Sequence, residues 1–196
     1  MRIKETGEYE ILGFYLSAKE THNTYFTVIQ DLYNRGIRKP LLFIGDGIPK
    51  LDEGIRKIFP KAGFQLCTIH ASRNLESDFR ESDRNEIDRD LKGIFLSDTK
   101  DSAISRFNHF RDKWSSKYQK PVYNMEKKLG YLFTYFQYPD SIRRSLHSSN
   151  INERMNKEIP RRIKVIDTLL SESAAMKILY LRVAELNEKW SHRVVK

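Results

Sequence analysis

The sequence has 196 residues, with 35 lysines and arginines against 26 aspartates and glutamates, a formal net charge of +9, and a hydrophobic share of 39%. No apolar run approaches the ~20 residues a membrane-spanning helix needs, the polar start does not read as a secretory signal, and a single cysteine excludes an internal disulfide. The surplus of cations favours a polyanionic partner, nucleic acid first, against the plainer reading of a merely basic surface.

Residues 9–18, YEILGFYLSA, are rich in β-branched and aromatic types and read as a strand, preceded by a turn at Thr6-Gly7-Glu8. From Asn23 to Asn34 the apolar side chains recur at helical spacing, and Arg35-Gly36 supplies the stop. Leu41-Leu42-Phe43-Ile44-Gly45-Asp46-Gly47 follows. Its apolar run predicts a strand buried on both faces, with glycines that let the backbone turn and leave space beside Asp46. Asp46 then stands at the carboxyl end of a strand, where open α/β sheets carry their sites. It reads equally as a turn former or helix cap. A short helix over 51–59 and a further strand over 64–70 complete a strand, helix and strand order that predicts an α/β sheet with a crossover.

From Leu75 to about Gln137 the texture becomes helical. Ile87, Leu91, Ile94 and Phe95 form one stripe, Ile104, Phe107, Phe110 and Trp114 a second, and Leu129, Leu132, Phe133 and Phe136 a third. The charge run from Arg80 to Arg84 reads as a solvated face. Pro139-Asp140 ends the block. Ser148-Ser149-Asn150 are good helix caps, and a helix is expected near Ile151. It carries Glu153, Arg154, Asn156 and Lys157, with Arg161-Arg162 beyond. The tail over 173–190 is an amphipathic helix with Ala175, Ile178, Leu179, Val183, Leu186 and Trp190 inward. The expected organisation is therefore a core over 1–74, an all-helical insertion over 75–138 and a second part of the core over 139–196.

Glu153 is a candidate partner for Asp46: two carboxylates can share hard divalent cations, and Mg²⁺ takes oxygen ligands together with substrate phosphates. The plainer reading is a carboxylate that pairs with the positive end of a helix. Arg154, Lys157, Arg161 and Arg162 are placed to hold DNA phosphates. Cys67-x-x-His70 is half of a zinc pattern with no second pair to complete it. No P-loop, nucleophile elbow or dinucleotide-binding glycine motif is present.

Asp46-Gly47, Phe59-Pro60, Gln65-x-Cys67-x-x-His70-x-x-Arg73-Asn74 and Ser148-Ser149-Asn150-x-x-Glu153-Arg154-x-Asn156-Lys157-Glu158-Ile159-x-Arg161-Arg162 occur in this order. Together they resemble the Mutator-type transposases of bacterial insertion sequences, over nearly the whole chain. Leu12-Gly13, Asp31-Leu32-x-x-Arg35-Gly36 and Lys189-Trp190 resemble the family too. The resemblance implies an α/β, ribonuclease-H-like sheet core with an all-helical insertion. It also implies a triad of two aspartates and a glutamate that works with Mg²⁺ or Mn²⁺ in two-metal phosphoryl transfer. On that basis Asp46 corresponds to the second aspartate and Glu153 to the glutamate, both catalytic and metal-binding. Cys67, His70, Arg73 and Asn74 support the site. Arg154, Asn156, Lys157, Arg161 and Arg162 contact DNA, both the element's terminal inverted repeats and target DNA. A homo-oligomer in the full-length protein and a bacterial cytoplasmic, nucleoid-associated setting are implied as well.

Two departures shape the expectation. The family's first aspartate lies on a strand upstream of the one expected over 9–18, and none of Glu5, Glu8 or Glu10 matches its motif. The first core strand is thus expected to be missing or incomplete, and this truncated, carboxyl-terminal portion is expected to have little activity alone. Ser148-Ser149 replace the family's more usual threonines, and Asn152 its isoleucine. The rival readings are a non-catalytic DNA-binding remnant or regulator of an intact transposase, and a structure-specific nuclease of similar fold.

Overall fold

The computed structural model of the chain describes residues 1–15, 21–47, 50–147 and 172–190. These fall into two compact units, one holding the described residues at the two ends of the chain, the other running from Thr21 to His147.

In the first unit, β1 (Arg2–Ile3) pairs antiparallel with β2 (Tyr9–Glu10), Arg2 opposite Glu10. Gly7, at φ 83°, makes the turn between them, a left-handed conformation that glycine adopts without steric cost. The strand expected over 9–18 is observed only at Tyr9–Glu10, residues 11–15 are unpaired with any strand, and 16–18 lie outside the described residues. One reason lies far along the chain. The Asn187 side chain accepts from the Ile11 amide at 2.7 Å and donates to the Ile11 carbonyl at 3.1 Å, so a side chain occupies the backbone groups that a neighbouring strand would use. Asn187 belongs to the C-terminal helix α9 (Glu172–Trp190), whose Val183, Leu186 and Trp190 pack with Ile11, Phe14 and Met1. Leu179 is buried as expected from the periodicity, and the Ala175 side chain lies outside the described set.

In the second unit, α1 (His22–Asn34) is capped by Thr21, whose hydroxyl accepts from the Thr24 amide at 3.3 Å. It precedes a β–α–β unit: β3 (Leu42–Gly45), α2 (Leu51–Ile58) and β4 (Gly63–Leu66). The strands are parallel, with Leu42 opposite Gly63 and Gly45 opposite Leu66. Ile55 on α2 is 1% exposed and anchors the crossover. Strand β3 is half-buried, with Leu41 just before it exposed, where burial on both faces was expected. Among the described residues β3 has β4 as its one strand neighbour.

The expected strand over 64–70 stops at Leu66. Thr68, Ile69 and His70 instead begin α3 (Thr68–Glu76). The alternation over 64–69 was a poor guide because Phe64, Gln65, Leu66, Cys67 and Thr68 are all buried.

Helices α4 (Glu81–Phe95) and α5 (Lys100–Trp114) pack on each other through Ile87, Leu91 and Ile94 and through Ala103, Phe107, Phe110 and Trp114. Thr99 caps α5 by accepting from the Ser102 amide at 3.2 Å. The third helical stripe is divided into α6 (Gln119–Glu126), α7 (Leu129–Leu132) and a 3₁₀ turn (Thr134–Gln137), followed by α8 (Asp140–Leu146). Within the charge run Asp83 is more than a solvated side chain. It accepts from Lys117 at 2.5 Å and from the Tyr118 hydroxyl, and the Lys117 bond holds its carboxyl below the usual range.

Candidate functional site

Two loops meet at the carboxyl ends of the parallel pair. One leaves β3 and carries Asp46; the other is the junction of β4 with α3. The Asp46 Oδ1 lies 3.1 Å from His70 Nδ1. Asp46 is about half exposed and the His70 side chain 27% exposed, so the pair faces a solvent-reachable surface rather than the core. His70 sits in the first turn of α3, so its position follows from where that helix begins.

That beginning is fixed by two consecutive amides. The Cys67 N–H donates to the Gly45 carbonyl at 2.9 Å, holding the residue before Asp46. The Thr68 N–H donates to the His147 carbonyl at 2.9 Å, and the Thr68 hydroxyl donates to the same carbonyl at 3.0 Å. Cys67 is 1% exposed, and its amide ties the start of α3 to the end of β3. Gly45 matters for space: a Cβ there would lie 3.2 Å from a Leu51 methyl and 3.4 Å from the Phe64 ring. Neither Gly45 nor Gly47 has a positive φ; close packing constrains Gly45, whereas a Cβ at Gly47 would meet only a Leu66 methyl at 3.9 Å.

Gln65, fully buried, ties β4 to the helical block. Its Nε2 donates to the carbonyls of Leu66 at 2.7 Å and Leu132 at 2.9 Å, and its Oε1 accepts from the Tyr135 amide at 2.8 Å. The Thr134 hydroxyl donates to the Phe64 carbonyl at 2.8 Å. Burial therefore costs the Gln65 amide little, because both of its ends are bonded.

Arg73 and Asn74 lie three and four residues beyond His70 on α3, both exposed. Asn74 lines a cavity of about 110 Å³ together with Gly47, the residue after Asp46. Glu153, Arg154, Asn156, Lys157, Arg161 and Arg162 lie outside the described residues. Thr68 and His147 carry no signal in the residue spacing. Gln65 stands inside the Cys67–His70 motif region, whereas Thr68 and His147 become visible only through their mutual bonds.

Among the described residues, no cluster of three or more His, Cys, Asp or Glu side chains is placed to hold a metal ion. The Asp46 carboxylate offers a hard, half-exposed oxygen donor. That suits Mg²⁺ or Mn²⁺, which bind through one or two carboxylates and otherwise through water and substrate phosphate. No described helix is long and apolar enough to cross a membrane.

Residues 1–193 match the family described as transposase, Mutator family. The chain is 31% identical, over 99% of its length and 49% of the relative's, to the transposase for insertion sequence element IS905 of Lactococcus lactis subsp. lactis strain IL1403. It is 29% identical to the transposase for IS1201 of Lactobacillus helveticus, over 83% of this chain and 44% of that one. Against the transposase for IS256 in transposon Tn4001 of Staphylococcus aureus the identity is 27%, over 96% and 48%. The chain thus spans about half the length of the curated relatives it matches.

Proposed function

Because the chain belongs to the Mutator family of transposases, we propose that it supplies part of the catalytic centre of a DNA transposase. The fold proposed for it is a ribonuclease-H-like core, 1–74 with 139–196, interrupted by the helical insertion 75–138. Asp46 and Glu153 are the metal-binding carboxylates. Arg154, Asn156, Lys157, Arg161 and Arg162 hold DNA, both terminal inverted repeats and target, in a homo-oligomer. The observation that carries this reading is the Asp46–His70 pair at the carboxyl ends of two parallel strands, in a chain matched to the family almost end to end.

The chain's own residues have defined tasks. Asp46 presents a carboxylate to a divalent cation. His70, 3.1 Å from Oδ1, fixes the direction in which that carboxylate points. Thr68 holds the end of α8, the last described turn before the segment that carries Glu153. When bound, divalent cations at such carboxylates activate an attacking oxygen and stabilise a leaving one in phosphodiester chemistry.

The test is excision of a marked element in cells, with the full reading frame that encodes this chain and Asp46→Asn or Glu153→Gln in turn. Each substitution is expected to abolish excision while leaving the protein level unchanged. Excision that survives both would overturn the proposal, and DNA binding without excision by the unaltered protein would favour the non-catalytic regulator.

A further inference from the structure

Several charges of the helical block pair with one another. Lys113 reaches Asp90 at 2.7 Å, Lys117 reaches Asp83 at 2.5 Å and Arg111 reaches Glu126 at 3.1 Å. The turn from α6 into α7 holds a group of lysines outside these pairs. Lys120, Lys127 and Lys128 are exposed and have no ion pair among the described residues. Lys120 lies in the first turn of α6, and Lys127 and Lys128 join the end of α6 to the start of α7. Exposed Tyr123 stands among them, its ring centroid 4.3 Å from the Lys127 Nζ. Glu126, the nearest acid in sequence, is already bonded to Arg111.

Three exposed cations of one segment, without ion pairs among the described residues, suit a polyanionic ligand. Their direction adds meaning. Lys128 and Asn124 line the same cavity of about 110 Å³ as Asn74 and Gly47. The group therefore ends beside the loop that carries Asp46. Among the described residues Asp78 is the one carboxylate on that lining, so the rim is not acidic throughout. Seven residues of helix rise ~10 Å between Lys120 and Lys127, close to three nucleotide steps at ~3.4 Å each.

We infer that the α6–α7 turn is a contact for a DNA strand, in which Lys120, Lys127 and Lys128 take phosphates within about three nucleotide steps of one another and lead the strand past the cavity rim to Asp46. The inference rests on the transposase reading. It adds a second DNA surface, in the helical block, to the basic segment after Glu153.

The experiment is fluorescence anisotropy of a labelled DNA duplex with the full chain across a KCl series. Lys120→Ala, Lys127→Ala and Lys128→Ala together are expected to lower the slope of log affinity against log salt by about 2–3, at roughly 0.9 for each phosphate no longer neutralised. The matching triple arginine variant keeps the slope, because guanidinium groups hold phosphate equally well. A control triple, Lys39→Ala, Lys57→Ala and Lys61→Ala, removes the same charge from exposed positions elsewhere and leaves the slope unchanged. Equal losses in the two alanine triples would overturn the inference while leaving DNA binding by the chain intact. Absence of salt-dependent binding by the unaltered chain would sink the transposase reading itself and this inference with it.

Discussion

Thr68 and His147, 79 residues apart, are joined three times: amide to carbonyl at 2.9 Å, hydroxyl to the same carbonyl at 3.0 Å, and hydroxyl to ring Nδ1 at 3.1 Å. One hydroxyl proton cannot serve two acceptors, so with it on the carbonyl the ring Nδ1 carries hydrogen and donates. The neighbouring Cys67 amide holds Gly45 in the same way. The first turn of α3 thus fastens the residue before Asp46 and the residue before Ser148, the two points from which the candidate carboxylate segments depart.

Thr68→Val keeps the shape and the amide bond but removes the hydroxyl from a residue only 2% exposed. It leaves a ring nitrogen and a carbonyl lone pair poorly satisfied, at a cost of about 1–2 kcal/mol in urea unfolding. Thr68→Ser, which keeps the hydroxyl, is expected to recover most of that loss. Equal stability of the valine variant and the parent would show that the hydroxyl contributes nothing.

Burial holds the His147 imidazole below its ordinary pKa, against a smaller opposing effect from a backbone hydrogen bond. The sign follows directly. Between the lowered folded value and the unfolded value near 6.5, the unfolded chain binds more protons, so stability rises with pH there. The contribution is fully present above about pH 6.5 and is lost as pH falls through that window. Thermal melts from neutral to mildly acidic pH are expected to show a falling midpoint that His147→Gln flattens. An unchanged slope in that variant would assign the dependence to other groups.

How legible this was from sequence differs by element. The core faces of α4 and α5 could be read, because Ile87, Leu91 and Phe107, Phe110, Trp114 obey a single helical period against one neighbour. The β4–α3 junction could not. Five consecutive buried residues from Phe64 to Thr68 erase the alternation that separates strand from helix. Asp46 was legible because a carboxylate after an apolar run is unusual, and His70 because it sits in the Cys-x-x-His motif. The contact between them was not, since it depends on where α3 starts. Asn187 shows the opposite failure: a C-terminal amide ends a strand 176 residues away, which no local propensity encodes.

Gln65 offers a sharper test of the junction. Gln65→Leu fills the same space but leaves the buried Tyr135 amide and the Leu132 carbonyl without their partner. Each orphaned group costs about 1–3 kcal/mol, so the variant is expected to lose roughly 2–6 kcal/mol and to loosen the turn after α7. Hydrogen exchange at the Tyr135 amide is the direct measurement. Protection at the parental level would mean that another acceptor replaces Gln65.

The last prediction concerns how Asp46 and His70 work together. If His70 acts through the carboxylate it touches, removing it weakens cation binding by roughly 10–100-fold, the scale set by partners that orient metal ligands. Asp46→Asn removes a proposed ligand itself and is expected to cost more. Mn²⁺ titration of the full chain, followed by electron paramagnetic resonance, measures both. The double variant Asp46→Asn with His70→Ala decides between mechanisms. Once the carboxylate is gone there is nothing left for His70 to orient, so the double variant should bind Mn²⁺ no more weakly than Asp46→Asn alone. A further loss, additive with the single effects, would make His70 a ligand in its own right and end its role as a positioning residue.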